Sequence, residues 1–380
     1  MALAAEISPA FPARAVAARA GLVLGAAVLV AAVALLVGAR YALLLAVGLG
    51  LGAALEGLRF GFAGPWRAMI LRREPAGLLA QLAAIGAVAA VAIPLTAANP
   101  AELIGAHAPV GWAMLGGAFV FGAAMQVVLG CGSGTLVNAG SGNAVSAVAL
   151  PFFAVGSFLG AWHLPWWTEL GALPVITAAG VFGPAGGAAA TLAALAAVAA
   201  LALALAPAGA RRVPGRLWWA AGIVAVLALV NLVASGQPWG VVYGLGLWAA
   251  KGAQALGADL SASAFWGAPA HAERVAQSVL TDVTSLTNFG IIGGAFLIAA
   301  WRGGLGAPVA KLPLRAWAAA MAAGLAMGYA SRLAFGCNVG AFFSGISTGS
   351  LHGWAWFAMA FAGSAIGVRL RPRLGLEPRA

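Results

Sequence analysis

Apolar stretches about twenty residues long recur from one end of the chain to the other, separated by short polar or glycine-rich breaks. Each is long enough to cross the ~30 Å hydrocarbon core of a bilayer as a helix. The pattern predicts ten spans, at 20–38, 41–58, 77–97, 111–130, 143–162, 185–206, 217–235, 276–300, 316–336 and 352–369. Four further pieces are apolar or glycine-rich but too short or too broken to span: 60–71, 131–141, 238–256 and 337–347. The third could cross on length alone. It is read as re-entrant because the loops that follow would otherwise carry their charges on the wrong side.

Composition agrees with this pattern. Of 380 residues, 63% are hydrophobic and only 8% charged, against about 25% charged in soluble domains. An ordinary water-soluble enzyme is excluded, and so is a disordered chain, whose signature is low hydrophobicity with high charge density. The expected fold class is an all-α polytopic membrane protein embedded in a lipid bilayer.

The formal net charge is +11. No nucleic-acid motif accompanies it, so no nucleic-acid partner is expected, and the excess is read as a topology signal. With the N-terminus in the cytoplasm, sixteen of the twenty Lys and Arg fall on the cytoplasmic side; the exceptions are Arg40, Lys251, Arg274 and Arg332. Both termini are therefore expected in the cytoplasm. Arg14 and Arg19 precede the first apolar run, but no small-residue cleavage site follows it, so it is read as a retained helix. Two cysteines, Cys131 and Cys337, are too few for a disulfide framework.

The chain also repeats itself. Gly122, Gly130, Cys131 and Gly134 match Gly328, Gly336, Cys337 and Gly340 at a constant offset of 206 residues, and Pro65-Trp66 recurs as Pro238-Trp239. Each half reads as span, broken piece, span, span, broken piece, span, and the halves enter the membrane from opposite sides. The expected organisation is an N-terminal tail and extra helix (1–40), a first inverted repeat (41–162), a connector (163–216), a second inverted repeat (217–369) and a basic tail (370–380). Broken helices at matching positions of inverted repeats mark the substrate site of many secondary transporters.

Non-helical backbone at membrane depth survives only where it is buried in protein or lines a polar cavity. The stretch CGSGTLVNAGSGN (131–143) therefore cannot face lipid. Glycine lets backbone N–H groups approach a ligand, and a short helix starting there points its positive end inward, which suits an anion. Candidate pathway residues are Gly130, Cys131, Gly132, Ser133 and Gly134 in the first half, and Gly336, Cys337, Asn338 and Gly340 in the second. Glycines inside spans, such as Gly48 and Gly52, are read instead as helix-packing positions. A lone membrane cysteine is normally a small buried hydrophobe, but here the chain's two cysteines occupy equivalent places in the two halves. A neutral thiol is a weak donor, suited to brief contact with a soft anion.

SRLAFGCNVGAFFSGISTGSLHGWAW (331–356) and VLGCGSGTLVNAGSGN (128–143) resemble the paired signatures of the YeeE/YedE-type membrane proteins that import thiosulfate. PWGVVYGLGLWAAKGAQALG (238–257) and TDVTSLTNFGIIGGAF (281–296) are similar to that family too, and the resemblance covers about 41–369. It implies an hourglass-like fold of nine spans plus four short buried helices. It also implies that Cys131 and Cys337 line the route and touch thiosulfate briefly through S–H···S hydrogen bonds, and that a small cytoplasmic sulfurtransferase-like protein is a partner. One departure concerns the relay: the family usually carries a third cysteine where this chain has Gly61, in RFGFAGPWR. Sulfite, sulfate, another sulfur oxyanion or a selenium compound stay open as substrates.

Two other classes compete with transport. One is an intramembrane serine hydrolase using Ser133 with His163 or His352, although GxSG is absent from the sequence. The other is a thiol-redox protein using the cysteine pair. The histidines show no metal-ligand spacing, and neither a metal nor a cofactor is expected. Arg332, near the outer end of its span, is read either as an anion attractor or as a snorkelling, carbonyl-bonded cation, and Lys251 likewise. Asp282 is read as a cap, an ion-pair partner or a proton carrier. Glu56 is expected to pair with Arg59. Trp162, Trp166, Trp167, Trp354 and Trp356 are expected in the interfacial aromatic belt.

Overall fold

The computed structural model describes residues 13–306 and 311–377; Arg379, assigned above to the basic tail, lies outside the described residues. The helices in chain order are α1 (Ala13–Leu36), α2 (Ala39–Gly57), α3 (Ala63–Arg72), α4 (Ala76–Ala98), α5 (Trp112–Val128), α6 (Gly132–Gly140), α7 (Ala144–Thr168) and α8 (Ala178–Leu205). After these come α9 (Gly215–Ser235), α10 (Val242–Ala255), α11 (Pro269–Ala276), α12 (Val283–Trp301), α13 (Leu314–Leu333), α14 (Ser344–Ser347) and α15 (Leu351–Arg373). A wide π-type turn over Asn338–Phe343 leads into α14. Among the described residues, nine segments are long and apolar enough to cross a membrane: α1, α2, α4, α5 run on into α6, α7, α8, α9, α12 and α15. Helix α13 has 20 residues but carries Arg315, Tyr329, Ser331 and Arg332. It packs between α5 and α7 and is read as the tenth span. The chain is an all-α polytopic membrane protein.

The four broken pieces form short helices: α3, α6, α10 and the Asn338–Phe343 turn with α14. Helix α10 has 14 residues, about 21 Å of rise, too little to cross. Two expectations are corrected. The span predicted to begin at 276 is helical only from Val283, because Asp282 caps it by accepting from the Ser285 amide at 2.7 Å. Trp356 is not a belt residue. It is fully buried, 6.1 Å from the Trp66 ring and 5.6 Å from Phe121, because it lies on the face of α15 turned to α5. Trp166 and Trp167 are exposed near the end of α7, Trp162 and Trp354 half-buried.

Lipid is as apolar as leucine, so helices in a membrane associate through close packing, not through hydrophobic burial. The three most extensive side-by-side pairs are α2 with α12, α5 with α15, and α7 with α13. A Cβ on Gly48 would fall 2.4 Å from the Thr287 carbonyl oxygen, one on Gly328 2.0 Å from that of Phe153, and one on Gly363 2.0 Å from that of Phe119. These glycines let backbones touch, as the sequence led us to expect for Gly48 and its neighbour Gly52.

The bundle has one strongly basic end. Arg302 donates to the Gly57 carbonyl at 2.6 Å, Arg59 pairs with Glu56 at 3.1 Å, and Arg67 and Arg371 hold Glu377 at 2.6 and 2.8 Å. Arg40, Lys251, Arg274 and Arg332 gather at the other end. There Arg40 donates to the Ala234 and Ser235 carbonyls at 2.7 and 3.0 Å, and Arg274 pairs with Asp282 at 3.4 Å.

Candidate functional site

Helices α5 and α13 end in the same way. Leu129 and Phe335 both adopt left-handed backbone, with φ of 58° and 55°, a conformation that costs a non-glycine residue roughly 1–2 kcal/mol. The next amide closes the turn in each case: Gly130 N–H to the Met125 carbonyl at 3.1 Å, Gly336 N–H to that of Ser331 at 2.8 Å. The cysteine follows, and its carbonyl accepts from Thr135 or Ala341 at 2.8 Å in both turns. A Cβ on Gly130 would sit 2.9 Å from the Thr135 nitrogen, and one on Gly336 2.6 Å from the Ala341 nitrogen. Glycine is thus needed before each cysteine, because the first turn of the following helix folds back onto it.

The cysteines start broken helices deep in the protein, and both are completely buried. The Cys131 sulfur accepts from the Gly134 amide at 3.4 Å and lies 3.4 Å from the Ser133 hydroxyl, so the thiol caps α6. Cys337 packs against the first turn, where a Cβ on Gly132 would come 2.9 Å from its sulfur. Asn338 beside it is fully buried, and neither amide atom has a hydrogen-bond partner among the described residues.

Two cavities approach this layer from opposite ends. The one at the basic end holds about 190 Å³ and is lined by Glu56, Arg59, Gly61, Phe62, Gly130, Cys131, Ser133 and Gly134, among others. The one at the opposite end holds about 420 Å³; its lining includes His107, Trp239, Tyr243, Arg332, Gly336, Gly340 and His352. Between them stand Gly132, Cys337 and an aromatic cluster in which Phe62 meets Phe342 and Phe343 edge-on at 6.4 and 6.5 Å. A larger crevice of about 750 Å³ lies among α4, α8 and α9. It is almost wholly apolar and opens onto the weakly buried α8, so it suits lipid and not an anion.

The structure therefore gathers the expected residues around one axis. Gly61, Gly130, Cys131, Ser133 and Gly134 face one cavity, Arg332, Gly336 and Gly340 the other, and Gly132, Cys337 and Asn338 belong to the layer between. A Cβ on Gly61 would meet nothing within 4 Å, so the place of the family's third cysteine is open space beside the first cavity.

Among the described residues the Arg332 side chain bonds no carbonyl. Its guanidinium stacks 4.7 Å from the Phe265 ring and 5.8 Å from Tyr243. Lys251 does bond carbonyls, that of Val275 at 2.7 Å and that of Gln277. Asp282 caps and pairs. The segment that covers Arg332 folds back through α11: His271 stacks on Phe265 at 4.0 Å and its Nδ1 shares a 3.0 Å hydrogen bond with the Tyr243 hydroxyl. Burial, reinforced by Arg332 and Arg274, holds the His271 imidazole below its ordinary value. A serine-hydrolase constellation is not formed: Ser133 contacts Cys131, His163 contacts the Tyr329 hydroxyl at 3.0 Å, and His352 contacts Ser350 at 2.7 Å. Sequence reasoning missed Phe62, Phe342, Phe343, Trp239 and His107 as cavity or barrier residues. Trp239 lay inside a recognised broken segment, and its pairing with Trp66 was the signal available.

The fold and the matched turns define a membrane-embedded helical protein with two cavities facing a shared cysteine layer. The family described as Sulphur transport matches residues 58–366, and the chain belongs to it. Over 91 residues the chain is 40% identical to a protein of Salmonella typhimurium (strain LT2) named probable transporter YedE, covering 24% of this chain and 22% of that protein. It is 39% identical over 93 residues to the probable transporter YedE of Escherichia coli (strain K12), 24% of this chain and 23% of that one. The chain thus aligns with under a quarter of the length of these relatives.

Proposed function

We propose that the protein is a transporter of the bacterial inner membrane that imports thiosulfate, or a closely related sulfur anion, along a route lined by Cys131 and Cys337. The observation that carries this reading is the meeting of two cysteine-led turns between two cavities that face opposite ends of the bundle. The basic end is taken as cytoplasmic because positive residues are retained there, which puts both termini in the cytoplasm. The matched turns at Leu129–Cys131 and Phe335–Cys337 support two inverted repeats, 41–162 and 217–369. So does the packing, in which α7 on α13 is the image of α15 on α5, and α2 on α12 that of α9 on α4.

In this mechanism the anion enters the 420 Å³ cavity beside Arg332, meets the Cys337 thiol, and passes to Cys131 once the Phe62–Phe342–Phe343 cluster parts. It leaves past the Ser133 hydroxyl and the N-terminal amides of α6 toward Gly61. The two thiol contacts are weak hydrogen bonds, and weak successive contacts allow release as well as entry. A thiol matches a terminal sulfur better than a hydroxyl does, because it is less strongly hydrated. The sequence holds no GxxxxGK[ST] nucleotide loop. Uptake is therefore driven by a gradient, or by consumption of the anion by a small cytoplasmic sulfurtransferase-like partner at the basic end.

The test is growth of a bacterium lacking its own sulfur-anion uptake, carrying this chain, on single sulfur sources. Rescue on thiosulfate supports the reading. Rescue only on sulfate, sulfite or a selenium compound, or no rescue by a protein present in the membrane, contradicts the thiosulfate assignment.

A further inference from the structure

Most buried polar atoms in folded proteins find a partner, and one left alone is costly. Three side-chain nitrogens around the larger cavity break this rule. Trp239 Nε1, Arg332 Nε and His352 Nε2 are each buried without a hydrogen-bond partner among the described residues, and all three residues line the cavity of about 420 Å³. Trp239 and His352 are each only 1% exposed, so bulk water does not satisfy them.

With the His352 proton on Nε2, the chemistry of the three is uniform. The indole and guanidinium nitrogens can only donate. His352 Nδ1 is engaged with the Ser350 hydroxyl at 2.7 Å; when that hydroxyl donates to Nδ1, Nε2 carries the ring proton and is also a donor. The surroundings fix the three side chains. Trp239 packs edge-on against Phe343 at 5.7 Å, and Arg332 is held on Phe265 at 4.7 Å. The His352 ring lies so close to Gly345 that a Cβ there would be 2.8 Å from its Cε1. Among the residues lining the cavity none is acidic. Unpartnered donors in a lining that holds a guanidinium and no carboxylate suit an anionic acceptor.

We propose that the larger cavity is an oxyanion site in which Trp239 Nε1, Arg332 Nε and His352 Nε2 donate to the oxygen atoms of a tetrahedral sulfur oxyanion. This rests on the transport reading and deepens it. With its oxygens on these donors, the substrate turns its terminal sulfur toward Cys337, so thiosulfate is read by its two ends: the oxygens by nitrogen donors, the sulfur by the thiol. An oxyanion without a terminal sulfur, such as sulfate, fills the same donors but gains nothing from the cysteine. It is held in the cavity as a competitor and carried poorly.

The test is calorimetric titration of the purified full-length protein in detergent with sulfate and, separately, with thiosulfate. Wild type should bind both. Trp239→Phe removes only an N–H while keeping an aromatic ring, and His352→Leu, which has no donor, removes a second one independently if the first variant fails to fold. Each should weaken both anions by about tenfold or more, the effect of one hydrogen bond to a charged group, while Cys337→Ala weakens thiosulfate alone. Unchanged sulfate affinity in whichever of the two donor variants folds overturns the proposal, as does a wild type that binds thiosulfate but not sulfate, or neither. Failure of thiosulfate uptake in cells with the binding pattern intact counts against the transport reading, not against the site.

Discussion

A side-chain carbon on Gly132 would lie 2.9 Å from the sulfur of Cys337. Residue 132 directly follows the first cysteine, so its missing side chain is what allows the second cysteine to reach the first turn. Gly132→Ala would also meet the Cys337 Cβ and Val241 at 3.4 Å, leaving the thiol to move aside. Overpacking of this kind costs about 1–3 kcal/mol, which a bundle of this size tolerates. Transport should fall much further than thermal stability does, and uptake at a wild-type rate in Gly132→Ala would separate the two turns functionally.

Cys131 has two duties that can be separated by substitution. Its sulfur caps α6 through the Gly134 amide at 3.4 Å, and serine is a better N-cap than a thiol while alanine is a poor one, by about 1 kcal/mol. Cys131→Ser should therefore melt at or above the wild-type temperature in detergent, and Cys131→Ala a little below it. Transport should drop in both. A serine variant that is stable and fully active would reduce the thiol to a cap.

At Gly61 the prediction runs toward gain. Nothing lies within 4 Å of a Cβ there, and Gly61 is absent from the positive-φ positions, so Gly61→Cys should fold normally and place a third thiol in the smaller cavity. A membrane-impermeant maleimide should label it from the cytoplasmic side only. Labelling from the outside alone would invert the proposed topology.

His271 supplies a pH dependence. Its imidazole is held below the ordinary 6.5 by burial first, then by Arg332 and Arg274. The unfolded chain therefore takes up the proton before the folded one, and stability is lost as pH falls below about 6.5 toward the folded value. Melting temperature should drop on acidification from neutral pH, and His271→Gln should flatten that part of the profile. An identical profile in the variant would show that this residue is not the titrating group.

The sequence made the cysteine turns visible because their chemistry is local. Gly-Cys at the end of an apolar run, repeated 206 residues later, needs no contact information, and the Glu56–Arg59 pair is set by helical spacing alone. The barrier and the oxyanion donors were hidden because they are assembled from distant segments. Phe62 meets Phe342 across 280 residues, and nothing in either neighbourhood announces the other. Trp356 was misread for a related reason: a tryptophan near a helix end looks the same whether its face meets lipid or α5. Arg332 was placed correctly in the chain, but the partners that fix it come from the segment folded back through α11, where hydrophobic periodicity is too short to predict a path.

In the proposed mechanism thiosulfate crosses the membrane through the layer formed by Cys131 and Cys337. The most direct test is uptake of radiolabelled thiosulfate by proteoliposomes containing the purified protein, compared with Cys131→Ala, Cys337→Ala and the double variant at equal incorporation. Wild type should take up thiosulfate, with a loss of about fivefold or more in each single variant, the scale of one lost weak hydrogen bond. The double variant should be hardly worse than the poorer single, because two contacts in series on one route are not additive. Wild-type uptake rates in both single variants would contradict this route.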